Sequence, residues 1–159
     1  MKTMEARSVT HGTFTIERSY PYKPERVFDA FADPVKKRRW FADCKGLEAE
    51  SYEIDFQVGG QERSRFRGTE GPMKGETFTN ETTYQDIVTN KRIVFAYTMA
   101  TGGTRFSASL ATVEFIATDE GTLLIVTEQG AYFEGADGAQ MREVGWRSLL
   151  DQLGKEFER

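Results

Sequence analysis

The chain has 159 residues, the usual size of one domain, and with 38% hydrophobic and 13% aromatic residues it is too rich in core-forming side chains to be disordered. Its formal charge of −4 disfavours nucleic acid and anionic membrane surfaces as partners. With one cysteine, Cys44, and one histidine, His11, an internal disulfide is excluded, most zinc sites, Ser-His-Asp triads and Cys-His dyads are removed, and neither metal nor cofactor is expected.

Residues 1–12 read as an N-terminal segment outside the domain, with His11 a surface residue and no apolar run of the kind that precedes a cleavage site. No stretch is long and apolar enough for a bilayer span, and the lone cysteine, expected to be inert, fits a reducing compartment, so the expected location is the cytoplasm. The single domain starts at residue 13. Phe14 and Ile16 alternate with Thr13, Thr15 and Glu17 at the strand period. Pro24 suits a first helical position, and Val27, Phe28 and Phe31 fall on one face of the short helix that follows it. Asp33 and Pro34 supply an N-cap and a new start, so Val35–Phe41 is expected as a second short helix at an angle to the first.

From about residue 51 to 133 the pattern is nearly all strand. Tyr52–Val58 and Gln61–Arg67 flank Gly59-Gly60, which predicts a hairpin with a two-residue turn. Glycine and proline crowd residues 68–75, a loop. Strands are then expected over 78–88, 92–99, 105–117 and 123–131, in a meander. The last element is a helix: Asp137 and Gln140 have the spacing of a capping box, and Trp146, Leu149, Leu150, Leu153 and Phe157 repeat at helical intervals on one face. Strand, two short helices, about six strands and a long helix make an α+β arrangement, with an antiparallel sheet under the terminal helix.

This order, with Phe14-Thr15-Ile16, Pro24-Glu25-Arg26-Val27-Phe28, Arg39-Trp40-Phe41, Val58-Gly59-Gly60, Arg92-Ile93-Val94-Phe95, Thr112-Val113-Glu114-Phe115, Gly121-Thr122 and Thr127-Glu128-Gln129-Gly130, resembles the helix-grip superfamily, called SRPBCC or START-like. Within it the chain is similar to bacterial proteins related to the activator of the heat-shock-protein-90 ATPase. The resemblance implies a curved seven-stranded sheet gripping the C-terminal helix, with a ligand cavity between them. Lipid and hormone binders, cyclases, hydroxylase subunits and co-chaperone domains share this fold, so the fold does not choose among functions.

With Val113 and Phe115 facing the helix, Ser107, Ser109 and Ala111 share that face, as do Phe95 and Tyr97 on the preceding strand and Glu128 on the following one. Phe66 inward carries Glu62 and Ser64 with it, and Ile87 inward carries Gln85. Unpaired, such groups would each cost on the order of 1–3 kcal/mol or more in a dry core, so water or a ligand is expected beside them. Gly145, within the last helix, implies either close helix–sheet contact or room for something held there.

The candidate ligand-binding residues are therefore Glu62, Ser64, Gln85, Phe95, Tyr97, Ser107, Ser109, Glu128 and Trp146, with Trp40 at the elbow that forms the cavity mouth in the resembled fold. Each has a plainer reading. Glu128 pairs with an arginine such as Arg65 or Arg142, Tyr97 and Trp146 are core aromatics, Trp40 and Phe41 seal the elbow, and Lys36–Arg39 is a solvated helix face. Three functions follow: binding of an apolar or aromatic small molecule; a cyclase- or hydrolase-type enzyme with Glu128 as general acid or base and Tyr97 as oxyanion donor; and docking to a chaperone, with Lys36–Arg39 as the local basic surface.

Overall fold

The computed structural model describes residues 8–43, 46–134, 136 and 138–159. Strand β1 (Thr10–Tyr20) is followed by helices α1 (Pro24–Ala32) and α2 (Pro34–Lys37), and α2 runs on as a π-helical turn over Arg38–Ala42. Strands β2 (Leu47–Ile54), β3 (Gln61–Gly68), β4 (Thr77–Val88), β5 (Arg92–Thr101), β6 (Thr104–Thr118) and β7 (Gly121–Tyr132) lead to the long helix α3 (Gly138–Glu156). All seven strands form one antiparallel sheet in the order β1-β7-β6-β5-β4-β3-β2. The meander thus runs from β2 to β7, and β1 closes the far edge beside β7. This is the expected α+β architecture. Among the described residues no helix is long and apolar enough to cross a membrane.

The elbow forms for the reasons its sequence suggests. Pro24 opens α1, whose Val27, Phe28, Ala30 and Phe31 are buried. Asp33 ends α1 and caps α2, its carboxylate accepting from the backbone N–H groups of Val35 (2.9 Å) and Lys36 (3.2 Å). The π-helical turn rotates Trp40 inward, where its indole N–H donates to the Ala30 carbonyl at 2.8 Å. Phe28 and Phe31 meet Phe115 of β6 edge-on, at 5.3 and 5.4 Å between ring centroids.

Some boundaries differ from the sequence reading. Strand β1 starts at Thr10, not residue 13, because residues 10–12 continue the ladder to Tyr132, Ala131 and Gly130. His11 is therefore an exposed strand residue. Strand β2 starts at Leu47 and stops at Ile54, so Gly59-Gly60 is not a two-residue turn between paired strands. The chain bends after Ile54, with the Gln57 N–H donating to the Asp55 carbonyl, and Gly59 and Gly60 instead exchange backbone hydrogen bonds with Tyr84 of β4. Gly60 is required there, since a Cβ would lie 2.2 Å from the Asp55 carbonyl oxygen. Cys44 and the proposed cap Asp137 lie outside the described residues.

Helix α3 grips one half of the sheet. Its Leu150 and Leu153 are buried with Ile16, and Phe157 packs edge-on against Tyr20 at 5.4 Å. The helix lies chiefly against β1 and the π-helical turn. The inner face of β2 to β5 under its first turns is consequently less covered, and the candidate site lies there.

Candidate functional site

Register places the inward groups in rows across the strands. One row runs Ser64, Asn80, Met99, Ser107, Tyr132 from β3 to β7; the next runs Glu62, Thr82, Tyr97, Ser109, Gly130. Glu128 sits one row further on, opposite Ala111. Of the candidate residues, Glu62, Ser64, Tyr97, Ser107, Ser109, Glu128, Trp146 and Trp40 are buried, and Phe95 is half-buried between Tyr97 and Trp146. Gln85 departs from the expectation and is exposed. It occupies a β-bulge in β4: Tyr84 pairs with Phe95 and Asp86 with Val94, so the extra residue resets the alternation between Tyr84 and Ile87.

The inward polar groups mostly satisfy one another. Glu128 is 0% exposed. Its Oε1 accepts from the Tyr97 hydroxyl and from the Trp146 indole N–H (2.9 Å), and its Oε2 accepts from the Tyr132 hydroxyl at 3.0 Å. Arg142 of α3 places Nη1 3.8 Å from Oε2 and donates to the Tyr97 hydroxyl (2.9 Å) and to Ser107 Oγ (2.8 Å). Of the two arginines the sequence offers for Glu128, the partner is Arg142. Tyr132 reaches back four residues along its own strand because Gly130 lies between; a Cβ there would come within 2.5 Å of the tyrosine hydroxyl. Burial first, and the Glu128 charge second, push the Tyr97 hydroxyl pKa well up, against the opposing Arg142 charge. Ser109 Oγ is buried with no hydrogen-bond partner among the described residues.

A second cluster surrounds Glu62. Lys37 Nζ donates to Oε1 at 3.0 Å, Tyr52 donates to Oε2 at 3.1 Å, and Tyr84 also donates to Oε1. Desolvation, then the Glu62 charge, raises the pKa of both tyrosines far above the ordinary value. Lys37 is thus buried, which corrects the reading of Lys36–Arg39 as a solvated face. The other members of the run are also paired: Lys36 with Asp29, Arg38 with Asp43 and Arg39 with Glu156. Lys36 and Arg38 stay substantially exposed while paired.

The open space lies beside these clusters. A half-open cleft of about 700 Å³ separates the sheet from α3, within the range of small-molecule sites. Its floor is Phe66, Phe78, Asn80 and Met99, and α3 contributes Met141, Arg142, Gly145, Trp146, Ser148, Leu149 and Gln152. Phe41, Leu47, Glu70 and Met73 border the rest. Of the candidate residues only Trp146 lines this cleft; Trp40 is in the packed elbow, where its neighbour Phe41 reaches the cleft instead. Glu128 lies one layer behind Trp146 and Arg142, where the geometry gives it no contact with cleft contents as a general acid or base. Gly145 has open space where a Cβ would be, so of the two explanations for a glycine in this helix, room rather than close packing is present.

Sequence reasoning missed Asn80, Met99 and Arg142 as cleft residues. Asn80 was legible in principle, since it stands two residues from both Phe78 and Thr82 on the inward alternation. Arg142 was legible only as a possible partner for a carboxylate.

A curved antiparallel sheet closed by a C-terminal helix, with an elbow of two short helices after β1 and a cleft between sheet and helix, defines the helix-grip class. The family model described as activator of Hsp90 ATPase homolog 1-like protein matches residues 21–158, and the chain belongs to that family. A solved structure from Rhizobium loti is 48% identical, with a TM-score of 0.83, over 94% of this chain and 99% of that one. One from Rhizobium leguminosarum is 39% identical, with a TM-score of 0.89, over 98% of this chain and 99% of that one. The solution structure of an AHSA1-like protein from Aeromonas hydrophila, 20% identical over 92% of each chain with a TM-score of 0.67, shares the fold. No curated protein matches.

Proposed function

We propose that the protein binds an apolar or aromatic small molecule in the cleft between the sheet and α3. The observation that carries this reading is the cleft itself: about 700 Å³ of space walled by Phe66, Phe78, Met99, Trp146 and Leu149, beside a core whose carboxylates are otherwise satisfied. Aromatic rings supply rigid contact area, and the methionines Met73, Met99 and Met141 supply polarisable walls that adapt to a ligand's outline. Gly145 keeps the α3 wall open at its middle.

The test is a fluorescence titration with N-phenyl-1-naphthylamine, a neutral aromatic probe, on the native protein and on Gly145→Phe. A Cβ at residue 145 meets nothing within 4 Å, so the backbone has room for a side chain on the cleft wall that Gly145 lines. Exchanging a helix-interior glycine for phenylalanine also removes about 0.3–0.5 kcal/mol of helix penalty, so the variant should melt no lower than the native protein. Saturable binding that weakens at least about tenfold in the variant is expected. No saturable binding, or equal binding by the variant, overturns the reading.

A further inference from the structure

The described residues hold three methionines, Met73, Met99 and Met141, and all three line the cleft beside α3. We infer that this cleft is a methionine-oxidation site, where a peroxide converts Met73 and Met141 to sulfoxides and so turns away the apolar ligand. This inference rests on the binding reading above and names how that same site would be regulated.

The three sulfurs stand at graded depths. Met141 is 58% exposed and heads a stripe of cleft-lining residues on α3, with Gly145, Ser148 and Gln152 following at helical intervals. Met73 is 43% exposed and ends the single helical turn Gly71–Met73 between β3 and β4. Met99 lies deeper: it is half-buried on β5, in register with Asn80 on one side and Ser107 on the other, and it packs against the core. A peroxide arriving from water therefore meets Met141 and Met73 first.

The chemistry needs only the peroxide. The thioether lone pair attacks one peroxide oxygen, and the S–O bond forms as the O–O bond breaks. The departing hydroxide takes the proton of the transferred oxygen, leaving a sulfoxide and water. Sulfur is oxidised by two electrons and the peroxide is reduced by two. A flexible apolar side chain has become a polar, chiral one. At Met73 and Met141 water reaches the new oxygen, so the folded chain accommodates it. An apolar body seated in the cleft strips that water away, and the cost of an unpaired polar group then falls on the complex alone. Neighbouring groups do not replace the water. Ser148 and Gln152 lie about 10 and 16 Å along the helix axis from Met141, Arg142 is turned to Tyr97 and Ser107, and Glu70, three residues before Met73, is a carboxylate with acceptors only. The polarisable sulfur that lets these walls adapt to a ligand is thus the atom that oxidation alters.

The test uses the full chain. After hydrogen peroxide treatment and its removal by gel filtration, peptide mass spectrometry should show one added oxygen at Met73 and at Met141 well before Met99. Titration with N-phenyl-1-naphthylamine should then show affinity weakened at least about fivefold. Incubation with the two epimer-specific methionine sulfoxide reductases and dithiothreitol should return it to within about twofold of the untreated protein. The double variant Met73→Leu/Met141→Leu keeps Met99, Cys44 and the other oxidisable groups, and is compared with its own untreated form; peroxide should weaken its binding less than about twofold. Circular dichroism checks that the oxidised protein stays folded. If both sulfoxides form and binding is unchanged, if the double variant loses as much as the native protein, if Met99 is oxidised first, or if oxidation unfolds the chain, the regulation is overturned and the binding reading stands. If the untreated protein does not bind the probe, both fall.

Discussion

Glu62 and Glu128 are two buried carboxylates on one inner face, and they are built alike. Each accepts from two tyrosine hydroxyls, Tyr52 and Tyr84 for Glu62 and Tyr97 and Tyr132 for Glu128. Each faces one buried cation, Lys37 at 3.0 Å or Arg142 at 3.8 Å. They differ in what else that cation meets. Lys37 is enclosed by the elbow, with its ammonium 4.7 Å from the centre of the Phe41 ring and 5.4 Å from that of Trp40. Arg142 stands between its carboxylate and open space. A buried ion pair with tyrosine donors is thus a packing solution at the elbow, and the same solution under α3 also shapes the wall of a cleft.

Removing either carboxylate should have the largest effect. Glu62→Leu removes the carboxylate that accepts from Lys37 and two tyrosine hydroxyls, and Glu128→Leu removes the one that accepts from two tyrosine hydroxyls and the Trp146 indole and stands beside Arg142. Each should lose about 3–5 kcal/mol in urea unfolding, the usual result of removing one partner of a buried ion pair. A loss under 1 kcal/mol at one site would break the likeness of the two clusters.

Alkali should produce the next largest effect. Burial holds the Tyr20, Tyr52, Tyr84 and Tyr97 pKa values above the ordinary 10.0, with Tyr20 pushed up to about 12. In the unfolded chain these phenols ionise near pH 10, so above that pH the unfolded state binds fewer protons than the folded state. Their stabilisation is complete below pH 10 and falls as pH rises beyond it. Tyr84→Phe and Tyr97→Phe should flatten this alkaline limb equally between pH 9 and 11, because both phenols stay protonated in the folded protein there and only the unfolded chain ionises. Urea midpoints from pH 9 to 11 give the comparison, and flattening by one variant only would break the likeness of the two clusters.

The smallest effect concerns a third carboxylate. Arg39 donates two hydrogen bonds in a fork to Glu156, 2.9 Å to Oε1 and 2.6 Å to Oε2, and these bonds first, then the Arg39 charge, hold the Glu156 carboxyl below its ordinary 4.5. Its contribution is present above pH 4.5 and is lost as pH falls through the lowered value. Arg39 is a third exposed, so solvent screening keeps the contribution small. Glu156→Gln should flatten the acid limb slightly, and an unchanged acid melt would remove this pair from the account.

The element order was legible because each signal is local. Pro24 and Asp33-Pro34 mark two helix starts, and alternation along β6 and β7 puts Ser107, Ser109 and Glu128 inward, as observed. Gln85 failed because a bulge changes parity without a marker in a strand of threonines and tyrosine. The two-residue turn failed because Gly59 and Gly60 pair with Tyr84, a partner about 25 positions away. The candidate site was only half legible. Its polar residues were identified as inward-facing, but most of them bind one another, and the space lies over Asn80 and Met99.

Outside the β4 bulge, sequence alone determined which side chains turn toward the helix, since strand and helix periods are properties of neighbouring residues. Only tertiary structure decided what those side chains meet. Tyr97, Trp146 and Arg142 reach Glu128 from β5 and α3, and the void is left where α3, held against β1 and the elbow, does not cover the middle strands. Whether an inward polar group finds a partner or a hollow is set by elements far apart in the chain, and no local pattern records it.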